Sequence, residues 1–333
     1  MSKGRSLPSA LKQLLQQPTF PARASRLSAS TQLPAGRSAN ASPTPKLASV
    51  SQHFQSLQAE AKQKGIGWGE WVSIATATLF TLNNPGSLQA LHRHAAGDKG
   101  TDLEHRTNVA LLMRETGLKC IGFIGIPKVI NNLAALRKAV EEDEELVKSL
   151  PTEPRRQIKS DRLDLVHKAA YSLWDDIYTP HSEKLLKILG TSHPDLPVFI
   201  VESEYGPLFS SPASFALPSE PESAKKEPSW DVNRLRTSLV AISALRAQGG
   251  VGPQVTSHVW GLLKAKDSIQ PQDANKKGLE WLTTEEGALW VVRTVDGVST
   301  IVPVSSRSSA QLTRNFIFFA LADLRSRRGS RRV

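Results

Sequence analysis

Over most of the chain, apolar residues recur at the spacing of α-helices. Phe54, Leu57 and Ala61 share one face of a short helix, and Trp68, Trp71, Ala75, Leu79 and Leu82 form a longer stripe. Asn83-Asn84-Pro85-Gly86 ends that stripe with turn-forming residues. A further helix is predicted over 103–116, and Pro127 opens a long one through Ile130, Leu133 and Leu136 to about residue 149. Residues 161–177 and 182–189 continue the theme. Leu235, Leu239 and Ile242 make a stripe before a glycine-rich turn, and Val255, Val259 and Leu262 make another after it.

Two segments break the pattern. Residues 191–229 hold seven prolines, and within them only Val198-Phe199-Ile200-Val201 resembles a short strand or a packed extended lid. Further on, residues 288–294 and 298–302 are rich in Val, Ile and Thr and flank Asp296-Gly297, which predicts a β-hairpin. A terminal helix through Leu312, Phe316 and Phe319 follows it. The chain therefore divides into a disordered leader over 1–50, an all-α domain over 51–270, and a C-terminal extension over 271–333. That extension carries the hairpin as an appendage, then the helix and a basic tail.

The helical body repeats itself. Arg106-Thr107-Asn108-Val109 matches Arg236-Thr237-Ser238-Leu239, and Pro127-Lys128-Val129-Ile130 matches Pro253-Gln254-Val255-Thr256 at nearly the same offset. Each half reads as a helix, a glycine-bearing turn and a helix opened by proline, as two related units packed on each other would.

Charge changes the picture only at the ends. The net charge is +11, yet residues 1–59 alone hold seven cations and no acid, and residues 307–333 hold seven arginines against Asp323. The body between them is nearly neutral, which argues against a nucleic-acid-binding face there. Only the tail from Arg325 to Arg332 is a candidate for weak contact with nucleic acid or another acidic partner. The acid-free, Ser- and Arg-rich start places Leu7, Leu11 and Leu14 at i, i+4 and i+7 among Lys3, Arg5 and Lys12. That is the composition of an amphipathic mitochondrial presequence, so import to the matrix is expected. No run of eighteen apolar residues occurs, so no membrane-spanning helix is expected.

Candidate chemistry is sparse. Cys120 is the single cysteine, which excludes an intrachain disulfide, a Cys-Cys redox pair and a cysteine-rich zinc site. No metal or cofactor site is expected. Gly249-Gly250-Val251-Gly252-Pro253 lacks the Lys-Ser/Thr of a phosphate loop and follows a helix instead of a strand. Ser257 precedes His258, but neighbours on a helix point about 100° apart and cannot pair. His258 shares a face with Val255 and Leu262, the place of a packed, hydrogen-bonded side chain.

The run from Arg236-Thr237-Ser238-Leu239 through Gly249-Gly250 to Ser257-His258-Val259 resembles the helical hairpin of the AhpD-like superfamily, which includes the carboxymuconolactone decarboxylases. The resemblance is best over 231–266 and weaker over 103–140. It implies an all-α fold of duplicated helical hairpins and a homo-oligomer. The peroxidase branch carries Cys-x-x-Cys-x-x-x-His, and here Val251 and Gln254 stand at the two cysteine positions. The acid that accompanies the hairpin arginine is missing as well, since Thr237 and Ser238 follow Arg236. The resemblance therefore implies a protein without thiol peroxidase activity, acting as a binding or scaffold protein with a partner on its C-terminal extension. The alternative is a cofactor-free decarboxylase or hydrolase-type enzyme with His258 as general acid/base, for which Glu202 and Glu204 are candidate carboxylates.

Overall fold

The computed structural model describes residues 7–17 and 47–301, and these contain helices and turns with no strand. The helices are α1 (Ser9–Gln16), α2 (Leu47–Gln63), α3 (Trp68–Leu82), α4 (Pro85–Ala96) and α5 (Leu103–Lys119). After them come α6 (Ile121–Ile124), α7 (Ile126–Val140), α8 (Glu144–Ser149) and α9 (Leu163–Tyr178). Next are α10 (Ser182–Ser192), α11 (Asp195–Val198) and a π-helix over Phe199–Phe209. The described residues end with α12 (Arg234–Gln248), α13 (Gly252–Lys264), α14 (Lys276–Leu282) and α15 (Glu285–Ile301). None of the described helices is long and apolar enough to cross a membrane.

Two helices form the centre. Residues 69–81 of α3 are buried on every side, as is nearly all of α12, and the two pack directly on each other. A helix buried all round must dispose of its hydroxyls. Ser73, Thr78, Thr81 and Ser243 each donate to the carbonyl four residues back, at 2.6–2.8 Å, so they add no unpaired group to the core. The arginines matched between the two halves, Arg106 buried and Arg236 half-buried, are both ion-paired. Arg236 holds Glu70 of α3 at 2.9 Å, and Arg106 holds Asp143 and Glu145.

The β-hairpin expected at Asp296-Gly297 does not form. Residues 285–301 are one α-helix, in which Ala288, Val291, Val292, Val295 and Val298 are fully buried. Their spacing is helical, and they pack into the same cluster as α3 and α12, so this segment is core and not an appendage. β-branched residues favour strands only weakly, and burial on all sides overrides that preference. Asp296 anchors Arg246 of α12 through two 2.8 Å hydrogen bonds. The helix expected through Phe316 and the arginine tail lie outside the described residues.

The strand expected at residues 198–201 is also absent, replaced by α11 and the π-helix. Ser210 closes that π-helix by bonding the Tyr205 carbonyl, five residues back, through both its amide and its hydroxyl. Its last carbonyls would otherwise be buried without donors. Arg156 takes those of Pro207 and Ser210 at 2.8 Å, and Lys119 takes that of Phe209 at 2.6 Å. Lys119 is 1% exposed and also donates to the Val232 carbonyl at 2.7 Å. Burial lowers its pKa to about 8.

The opening turn of the second hairpin is built on two left-handed glycines. Gly249 and Gly250 have φ of 73° and 75°, whereas Gly252 begins α13 in ordinary geometry, with Pro253 in its first turn. Alanine at Gly249 or Gly250 is expected to cost about 1–3 kcal/mol through backbone strain. Alanine at Gly252 is expected to stay within about 0.5 kcal/mol of wild type. Urea melts of the three variants check this, and equal stability of all three would refute a strained turn.

Candidate functional site

Helix α13 turns Val255, His258, Val259 and Leu262 inward. His258 is 6% exposed and meets two aromatic side chains from other elements. Phe123 of α6 stands edge-on to its ring at 5.8 Å, and Tyr178 of α9 lies at 5.9 Å. The Tyr178 hydroxyl is 3.3 Å from His258 Nε2 and 2.8 Å from the Tyr205 hydroxyl of the π-helix. His258 thus joins α13 to α6 and α9 and, through the Tyr178 hydroxyl, to the π-helical segment. The other ring nitrogen, Nδ1, has no hydrogen-bond partner among the described residues.

The electrostatics of this cluster keep it neutral. Burial, helped by the Arg234 guanidinium, lowers His258 to about 4. Burial also raises both phenols, Tyr178 and Tyr205, above the ordinary tyrosine value. Imidazole and phenols therefore titrate far on either side of neutrality, and a general acid/base works best with a pKa near the working pH.

Neither candidate carboxylate pairs with the imidazole. Glu202 accepts from the Tyr171 hydroxyl at 3.4 Å and lies 3.6 Å from His167, on the exposed side of the π-helix. Glu204 is half-buried near Gly122, and desolvation raises its carboxyl. The Ser257 hydroxyl donates to the Pro253 carbonyl and not to His258. Cys120 is fully buried at the junction of α5 and α6, and burial pushes its thiol far up, which suppresses the thiolate that any nucleophilic role needs.

An open groove of about 480 Å³ lies elsewhere, between α2, α14 and α15. Two tryptophans shape it. Trp281 and Trp290 meet edge-to-face at 6.1 Å, Lys64 sits over the Trp281 ring at 4.7 Å, and the Trp290 indole donates to Glu60 at 2.9 Å. His53 and Arg293 complete the walls. An aromatic floor with charged groups at its rim suits the capture of a partner side chain or peptide. Sequence reasoning missed this groove because its residues were divided between a short helix and an expected hairpin. The signal was present in Trp290 and Arg293, three apart and so on one helical face.

Comparison of the chain with protein-family models, with curated proteins and with solved structures gives no match.

Proposed function

We propose that this chain is a divergent AhpD-like protein of the mitochondrial matrix that works by binding a protein partner, without thiol peroxidase chemistry. The observation that carries the reading is the contrast between its two sites. The histidine where the family would place its chemistry is neutral and enclosed by aromatic rings, whereas the aromatic groove on the expected C-terminal extension is open. Support for the family comes from Arg106 and Arg236, matched by the repeat and both ion-paired at the start of their helices. Pro127 and Pro253 further support it, each in the first turn of the helix that closes its hairpin.

Self-association belongs to the same reading. Ile126 and Ile130, one turn apart on α7, are 57% and 45% exposed and offer an apolar strip for it. Sedimentation finding only a 36.3 kDa species would remove that element. A reporter fused to residues 1–50 and left uniformly cytosolic would remove the mitochondrial one.

Complementation of a null strain tests the function itself. His258→Asn is expected to rescue fully, while Lys64→Glu combined with Arg293→Glu, at the rim of the groove, is expected to fail although the protein accumulates to normal levels. The reverse result, with a folded His258→Asn protein that does not rescue, would establish the acid/base alternative.

A further inference from the structure

The leader-like helix α1 is seated on the body. Leu7 and Leu11 are 5% and 1% exposed and belong to the central apolar cluster, with Leu14 and Leu15 packed at its edge. The helix lies against α13, where the Leu15 carbonyl approaches Gly252. Beyond its C-terminus, the Gln17 carbonyl accepts a 2.9 Å hydrogen bond from Arg246 Nη1. Arg246 is itself 4% exposed, and Asp296 of α15 fixes it by a fork of two bonds. The body therefore supplies an apolar bed for leucines at i, i+4 and i+7 and an aimed cation for the carbonyl end of the helix.

An eight-residue helix is too short to persist alone in water. No side chain caps its N-terminus, where Pro8 stands, so its helicity depends on the bed it occupies. Twenty-nine residues separate Gln17 from Leu47 in the sequence.

We propose that α1 is an exchangeable latch filling a helix-binding cradle on α12 and α13. Its occupant in trans is a short amphipathic helix with apolar residues at i, i+4 and i+7. Docking of such a helix is read at its apolar anchors, and here a buried arginine adds polarity, because it accepts only the carbonyl end. Cleavage of a leader that includes α1 would bare the same surface. The inference goes beyond the function proposed above, which concerns the groove between α2 and α15, and it stands if that reading fails.

The test uses the full chain and a fluorescein-labelled peptide of residues 7–17. Wild type, with its cradle filled, is expected to bind the peptide weakly. Leu11→Asp in the full chain should empty the cradle and tighten peptide binding at least tenfold. Adding Arg246→Met should weaken it again, and a peptide that itself carries Leu11→Asp should bind about a hundredfold less tightly than the native one. Equal binding of the peptide by wild type and Leu11→Asp, or equal binding of the two peptides, would overturn the proposal. Hydrogen exchange on the wild-type protein covers the case of a misfolded variant. Amides of residues 9–16 should be protected and should lose protection when millimolar unlabelled peptide is added, whereas protection unchanged by the peptide would also overturn the latch.

Discussion

Lowering the pH from 7.5 to 5 is expected to remove about 4 kcal/mol of folding stability, through His92 and His258 together. Both rings are buried, and their folded pKa is lowered from 6.5 to about 4. For His92, burial is the main cause and Arg93 adds to it, against the opposing pull of Glu142 and Asp143. The unfolded chain therefore binds more protons than the native one between pH 6.5 and 4. Stability is complete above the unfolded value and is lost as the pH falls through the folded one. Among the described residues, neither ring nitrogen of His92 has a hydrogen-bond partner, nor has His258 Nδ1, so no hydrogen bond is in place to hold a second ring proton. His53 and His94, also lowered by burial, act in the same direction. Glu204 and Glu227, raised by burial, take up protons in the native state first and oppose the loss. Thermal melts across this range check the slope. His92→Leu should keep neutral-pH stability within about 1 kcal/mol, because an unpaired buried ring has little to lose, and should abolish about half of the acid effect. A melting temperature constant from pH 7.5 to 5 would show that the two rings are not held neutral.

The helical class of this chain was legible because the body is built from stripes at a 3.6-residue period. Leu235, Leu239 and Ile242, and after them Val255, Val259 and Leu262, are all buried on the helices the pattern predicts. The inward placement of His258 followed from the same face. Misreadings occurred where a local preference opposed the tertiary environment. Val291, Val292 and Val298 read as strand beside an Asp-Gly pair, yet they lie at i, i+1 and i+7 of a helix enclosed by the core. The π-helix was illegible for another reason. The carbonyls at its end are capped by Arg156 and Lys119, which are distant in sequence. Likewise Glu70, the acid that pairs with Arg236, comes from a helix 166 residues away, so no motif window includes both. Helix α4 lay within reach of sequence rules. Asn84 accepts from the Ser87 amide, and Pro85 opens the helix, an N-cap signature in the same residues that ended α3.

Gly278→Ala is expected to be strongly damaging, at on the order of 3–5 kcal/mol. Gly278 lies in the first turn of α14 and is buried against the turn that ends α2. A Cβ there would come within 2.7 Å of the Ile66 amide nitrogen and closer still to the Gly65 carbonyl. All of these are backbone atoms, so no side chain can rotate out of the way. The turn is itself constrained, because Gly65 has φ of 70° and Ile66 bonds back to the Ala61 carbonyl at 2.9 Å. Relief must therefore come from displacing α14 as a unit. That displacement would carry Trp281 away from Lys64 and Trp290, so the loss of stability should appear with a changed tryptophan emission spectrum. Gly86→Ala is the control: Gly86 lies in the first turn of α4 with nothing within 4 Å of a new Cβ, so the change should be neutral or stabilising by up to about 1 kcal/mol. If Gly278→Ala melts with the Gly86→Ala protein and keeps the wild-type emission spectrum, the backbone contact between α2 and α14 does not hold the tryptophan wall of the groove.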